Sequence, residues 1–112
     1  MPSNCSIWPV KKIILDENVP RPLRQALGHH IISTVQELGW KGIENGELLT
    51  LLENRFDVFI TADKNLRYQQ NLSDRKIAII ELPFNSRRQV MPLAPKILEA
   101  LEAIQPNDYL CI

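Results

Sequence analysis

Asp16 directly follows the apolar run Ile13-Ile14-Leu15, and Asp63 follows a second such run, Val58-Phe59-Ile60, after Thr61-Ala62. Glu17 and Asn18 accompany the first aspartate, and Glu47 stands between the two in sequence, just after Asn45-Gly46. If the fold gathers these acids, each carboxylate raises the proton affinity of the others, and a divalent cation relieves the repulsion. Oxygen ligands without a histidine or cysteine partner select Mg2+ or Mn2+ over zinc or copper. Such a centre suits phosphodiester hydrolysis, in which metal ions generate hydroxide and stabilise the leaving oxygen. Asp16, Glu47 and Asp63 are therefore the candidate catalytic and metal-binding residues, supported by Glu17, Asn18, Asn45, Thr61 and Asn65. Thr61 is placed to bond a metal-bound water or to orient Asp63.

Each assignment has a plainer competitor. An acid in the first turn of a helix often only complements the helix dipole, which is the structural alternative for Glu47. His29 and His30 follow the helix-stopping Gly28, on the side of the sheet expected to lie away from the acids, so a general-base role is disfavoured. Trp40 reads as a loop anchor in preference to a base-stacking platform. Cys5 and Cys111 lie near opposite ends without zinc-site spacing and read as reduced bystanders. Acids after strands also occur in receiver domains and in aspartate phosphatases. Against the first, Glu81-Leu82-Pro83 follows Ile80 where a receiver carries a threonine; against the second, Asp16-Glu17-Asn18 has no aspartate two positions after the first.

The positioning elements follow from hydrophobic period. Lys12 to Leu15 reads as a short buried strand, His30 to Val35 as a second and weaker one, Phe56 to Ala62 as a third and Ile77 to Leu82 as a fourth, ended by Pro83. Pro20 and Pro22 suit the first turn of a helix that carries Leu23, Ala26 and Leu27 and stops at Gly28. Gly39-Trp40-Lys41-Gly42 forms a loop, and Asn45 caps a helix containing Leu48, Leu49, Leu51 and Leu52. Residues 65–72 form a polar turn and short helix. Val90, Leu93, Ala94, Ile97, Leu98, Leu101 and Ile104 recur at helical spacing as one long amphipathic helix. Strands alternating with helices imply a mainly parallel sheet, because right-handed crossovers join parallel neighbours. Ligands of such sheets bind beyond the carboxyl ends of the strands, where Asp16, Glu17 and Asp63 fall.

The chain has 112 residues, 45% of them apolar and 23% charged, the profile of one folded domain. No apolar run reaches the roughly 20 residues that span a bilayer, and Met1 to Val10 lack the pattern of a secretory signal, so a cytoplasmic protein without membrane contact is expected. Thirteen basic residues balance thirteen acidic ones. Attraction to nucleic acid must then come from local groups among Arg21 and Arg24, Lys64 and Arg67, Arg75 and Lys76, and Arg87 and Arg88. Lys41, Lys64, Arg67 and Arg87 are the candidate substrate-binding residues.

Four ordered motifs carry a resemblance: Leu-Asp-Glu-Asn-Val-Pro at 15–20, Gly-Trp-Lys-Gly at 39–42, Asn-Gly-Glu-Leu-Leu at 45–49 and Thr-Ala-Asp-Lys-Asn-Leu at 61–66. With them the chain resembles the bacterial PIN-like family of small nucleases related to the toxins of toxin-antitoxin pairs. The resemblance runs from Lys12 onward and extends to Tyr68-Gln69-Gln70-Asn71-Leu72 and Asn85. It implies an α/β fold, a three-layer α/β/α sandwich with a mainly parallel four- or five-stranded sheet, over residues 1–112 as a single PIN-like domain. It further implies a Mg2+- or Mn2+-dependent ribonuclease site on Asp16, Glu47 and Asp63. The implied partners are an RNA substrate, a small antitoxin protein and, in a homodimer, a second copy of the chain. Many relatives carry an aspartate where this chain has Asn65 and a further acid where it has Asn45. An amide ligates metal less strongly than a carboxylate, which keeps a second reading open: a catalytically weak PIN-like module acting by RNA or protein binding.

Overall fold

The computed structural model describes residues 11–28, 30–40, 42–43, 45–63 and 76–112, with only the backbone of Asn45. Five strands form one all-parallel sheet: β1 (Lys12–Leu15), β2 (Ile31–Thr34), β3 (Val58–Thr61), β4 (Ala78–Glu81) and β5 (Tyr109–Cys111), in the order β2-β1-β3-β4-β5. Each of β1, β3 and β4 is a β-branched, apolar run flanked by strands on both sides, and their cores are buried throughout. Leu15 is in register with Thr34 of β2 and Ile60 of β3, while Thr61 faces Glu81, which faces Cys111. The carboxyl ends of the strands therefore finish in line.

The period-2 alternation divides the core. Ile13, Leu15, Val58, Ile60, Ala78 and Ile80 meet one helical layer: Leu23 of α1 (Leu23–Ala26), Val90 of α3 (Arg87–Val90), and Ala94, Ile97 and Leu101 of α4 (Ala94–Ala103). Ile14, Phe59 and Ile79 point the other way onto Leu48, Leu49 and Leu52 of α2 (Asn45–Glu53), with Val35 and Ile77 beside them. Burying each of these side chains contributes about 1.5–3 kcal/mol, so both faces are strongly specified. Each helix that follows a strand starts at the carboxyl edge and runs back toward the amino edge. That direction puts the first turn of α2, with Glu47, and the start of α3, with Arg87, at the edge where Asp16 and Asp63 lie.

Three elements differ from the sequence expectation. The helix expected across Pro20 to Gly28 is a single turn, α1, because the prolines sit in tighter turns: Leu23, Arg24 and Gln25 donate their N–H groups to Pro20, Arg21 and Pro22. The long helix expected from Val90 to Ile104 is broken into α3, a 3-10 turn (Met91–Leu93) and α4. Pro92 and Pro95 lack the N–H groups that a continuous helix needs there, yet Val90, Ala94, Ile97, Leu101 and Ile104 remain buried on one side. Helix α2 begins at Asn45 itself, so Asn45 is the first helical residue and not the cap before it. Strand β5, for which no segment was singled out, is reached through a turn at Asn107, whose φ is 73°.

Candidate active site at the carboxyl edge

Asp16 and Asp63 follow neighbouring strands, and the backbone draws them together. The Asp16 N–H continues the ladder by donating to the Ile60 carbonyl at 2.9 Å, so the chain is still paired as it leaves β1. Asp16 and Thr61 then share a face of the sheet. The Thr61 hydroxyl donates to Asp16 Oδ2 at 2.7 Å and accepts from the Asp63 N–H at 3.0 Å. Asp16 Oδ1 accepts from the Glu17 N–H at 2.8 Å, and Asn18 Oδ1 accepts from the Ala62 N–H at 3.2 Å, tying the two post-strand turns a second time. Thr61 is wholly buried. Its hydroxyl proton is directed at Asp16 and its lone pair at the backbone of Asp63, so it orients the Asp16 carboxylate and holds the Asp63 backbone beside it.

Burial raises the Asp16 carboxyl above the usual aspartate range; bonds from Thr61 and Glu17 oppose that rise, and the charges of Glu17 and Asp63 add to it. The carboxylate thus sits where its negative charge is costly and where another anion is felt. Both Asp16 oxygens are bonded once and each keeps a further lone pair. An all-oxygen site with excess negative charge suits Mg2+ or Mn2+, and Mg2+ is commonly held by one or two carboxylates plus waters and substrate phosphate. Asp16 and Asp63 are the acids that would hold such an ion.

Of the other expected residues, Glu47 lies exposed in the first turn of α2 at the same edge. Among the described residues, however, no group of three or more His, Cys, Asp or Glu side chains stands in metal-holding geometry. The structure therefore brings together Asp16 and Asp63, with Glu17, Asn18 and Thr61, and leaves Glu47 at the edge outside that group. Arg87 is exposed at the start of α3. Lys41, Lys64, Asn65 and Arg67, the side chain of Asn45, the expected helix at 65–72, Cys5 and His29 lie outside the described residues. His30 is buried at the amino edge, where its Nδ1 accepts from the Lys11 N–H at 3.1 Å, away from the acids. Trp40 packs on the α2 side of the core with the Arg55 guanidinium 5.5 Å from its ring centre, as an anchor would. The loop holding it turns through Gly39 and Gly42 at φ 73° and 89°, a region that side chains disfavour.

Glu81 was missed. It is a buried acid at the end of β4, in register with Thr61, and it accepts a 2.6 Å bond from the Tyr109 hydroxyl and a longer one from Cys111. The signal was an acid inside the apolar run Ile77 to Leu82, a position that a buried strand fills with a charge only when it has partners. A further feature lies on the β2 side. A cleft of about 210 Å3 is lined by Arg21, Arg24, Thr34, Gln36 and Glu37. In it Arg24 pairs with Glu37 at 2.8 Å and holds that carboxyl below its usual range. Compared with models of protein families, with curated proteins and with solved structures, the chain gives no match.

Proposed function

We propose that this chain is a Mg2+- or Mn2+-dependent PIN-like ribonuclease. The observation that carries the reading is the pair of aspartates on adjacent central strands, locked by one buried threonine. In the order β2-β1-β3-β4-β5 the chain goes from β1 outward to β2 and then returns past β1 to β3, and ligands of doubly wound sheets bind at the carboxyl edge where the winding reverses, between β1 and β3. Asp16 and Asp63 occupy that position. An ion held there would supply a hydroxide nucleophile and charge stabilisation at the phosphoryl group. Asp16, with an orientation set by Thr61 and Glu17, and Asp63 from the adjacent strand would hold it, and Glu47 at the same edge would have to turn inward to become a third ligand. The motif resemblance adds RNA as the substrate, a cytoplasmic toxin as the biological role, and a small antitoxin protein as partner.

The test is calorimetric titration with Mn2+ and Mg2+, paired with cleavage of a mixed RNA pool, for the wild type, Asp16→Asn and Asp63→Asn. Both variants are expected to lose metal binding and cleavage while melting within a few degrees of the wild type, since each removes one charge from a crowded site. Carboxylates that lie more than ~7 Å apart, two ligand bonds and a bridging water, do not share an ion, and variants that bind metal normally would sink the reading. The second reading, a PIN-like module that binds RNA or protein with little turnover, is favoured by the two-acid grouping and by the amides at 45 and 65. It predicts RNA retention without cleavage in the same assay.

A further inference from the structure

Strand β2 lies at the edge of the sheet, with β1 as its one neighbour among the described strands. Ile31 and Val35 turn their N–H groups inward, to the Lys11 and Leu15 carbonyls. The alternation of a strand then points the N–H and C=O groups of Ile32 and Thr34 outward, where a further strand would take them. Three of those four groups are already occupied. The Ile32 carbonyl accepts from the Arg24 guanidinium at 2.8 Å, the Thr34 N–H donates to Glu37 Oε1 at 3.0 Å, and the Thr34 carbonyl accepts from the Leu38 N–H at 3.3 Å. The Ile32 N–H has no partner among the described residues.

The two side chains that cover the edge also hold each other. Arg24 Nη2 lies 2.8 Å from Glu37 Oε1 and donates to Oε2 at 3.0 Å. Glu37 is placed by its own turn, since its N–H donates to the Thr34 hydroxyl at 3.1 Å, and the Leu38 bond, the longest of the three, belongs to that same turn. Arg24 comes from α1 and Glu37 from the turn after β2, so the closure unites segments before and after the strand. Both side chains are 44% exposed, and an ion pair so open to water is weak and screened by salt. Neither belongs to the core, so the closure can open without disturbing it.

We propose that Arg24 and Glu37 form a lock that keeps the β2 edge from pairing, and that the edge beneath the lock fits a second copy of this chain, β2 against β2. Twofold pairing runs antiparallel and sets Ile32 of each copy opposite Thr34 of the other, so the outward groups of the two strands satisfy one another. The strand Ile31-Ile32-Ser33-Thr34 carries no charge, so no like-charge pair opposes the meeting. Ile31 is 56% exposed on this strand and is the apolar surface that a neighbouring strand would cover. The displaced Arg24 and Glu37 are opposite in sign, so the same two residues of the two copies attract across the axis.

The experiment is sedimentation velocity over a concentration series for the wild type, Arg24→Ala, Glu37→Ala, the double variant Ile31→Lys/Glu37→Ala and the control Glu99→Ala on α4, each checked by thermal melting. Arg24→Ala and Glu37→Ala are expected to associate with a dissociation constant at least about tenfold below that of the wild type, the scale of one or two hydrogen bonds regained. Glu99→Ala should sediment as the wild type does. Ile31→Lys in the Glu37→Ala background should restore wild-type sedimentation, because a lysine on an edge strand opposes pairing. Amide hydrogen exchange of the wild type is the second measurement, and it does not depend on a variant folding: the outward Thr34 N–H, held by Glu37, should exchange more slowly than the outward Ile32 N–H. Folded Arg24→Ala and Glu37→Ala proteins that sediment as the wild type does at every concentration overturn the lock. Association that persists in Ile31→Lys/Glu37→Ala runs through another surface and overturns the β2 pairing. Equal exchange at Thr34 and Ile32 shows that Glu37 does not close the edge, and overturns it as well.

Discussion

Thr61 is the side chain on which the arrangement of the acids most depends. Its hydroxyl joins Asp16 Oδ2 to the Asp63 backbone, and its own carbonyl receives the Leu82 N–H, so one buried residue connects three strand ends. Replacing it with valine keeps shape and β propensity but leaves a carboxylate oxygen and a backbone N–H each short of a partner. The expected cost is about 1–3 kcal/mol by chemical denaturation, with Thr61→Ser costing less. The same change removes an interaction that lowers the Asp16 pKa, so that pKa should climb further in Thr61→Val, as read by an NMR titration of the Asp16 carboxyl. The sign for stability follows from linkage. Because folding raises the Asp16 pKa above its ordinary value of 3.8, its contribution is fully present below that pH and is lost as pH rises through the raised value. Thr61→Val should therefore lose relatively more stability above that window than below it. An Asp16 pKa unchanged in the variant would show that the hydroxyl does not act on the carboxylate.

Helix α2 is where local and functional explanations compete for one acid. Its buried residues Leu48, Leu49 and Leu52 fix which side faces the sheet, and its direction fixes which end meets the acids. Glu47 is thereby brought to the carboxyl edge but left exposed, which both a dipole role and a ligand role permit. If Glu47 serves only the helix dipole, Glu47→Gln should cost about 0.3–1 kcal/mol and leave metal affinity unchanged. The ligand role predicts the reverse: a large loss of metal affinity with a small shift in melting temperature, against Glu53→Gln near the other end of α2 as control. Equal metal affinity in all three proteins would remove Glu47 from the centre. The four strands and the acids behind β1 and β3 were legible because continuous apolar runs ending in Asp16 and Asp63 have few other structural uses. The helices were less legible where the apolar stripe concealed a competing rule, as Pro92 and Pro95 did by breaking the stripe without displacing it. Strand β5 escaped because Tyr109-Leu110-Cys111 is too short for a period to show, and the role of Glu81 depends on partners contributed by that distant segment.

At the scale of the whole molecule, charge sets how the protein can approach a polyanion. Thirteen positive and thirteen negative residues leave a net charge of zero, so no broad positive field draws nucleic acid in, and the site's own aspartates repel it. On the ribonuclease reading binding is carried by a few local cations, which among the described residues on the edge are Arg21, Arg87 and Arg88, beside the expected Lys41, Lys64 and Arg67. Each phosphate neutralised on a single strand contributes about −0.7 to the slope of log affinity against log salt, so these three arginines together contribute about −2. A basic nucleic-acid binder making many more contacts shows a far steeper dependence. The measurement is the affinity for single-stranded RNA across a series of KCl concentrations, for the wild type and Arg21→Ala. Arg21→Ala should lower the magnitude of the wild-type slope by about 0.7. An unchanged slope in Arg21→Ala would mean that the β2-side cleft lies off the strand's course.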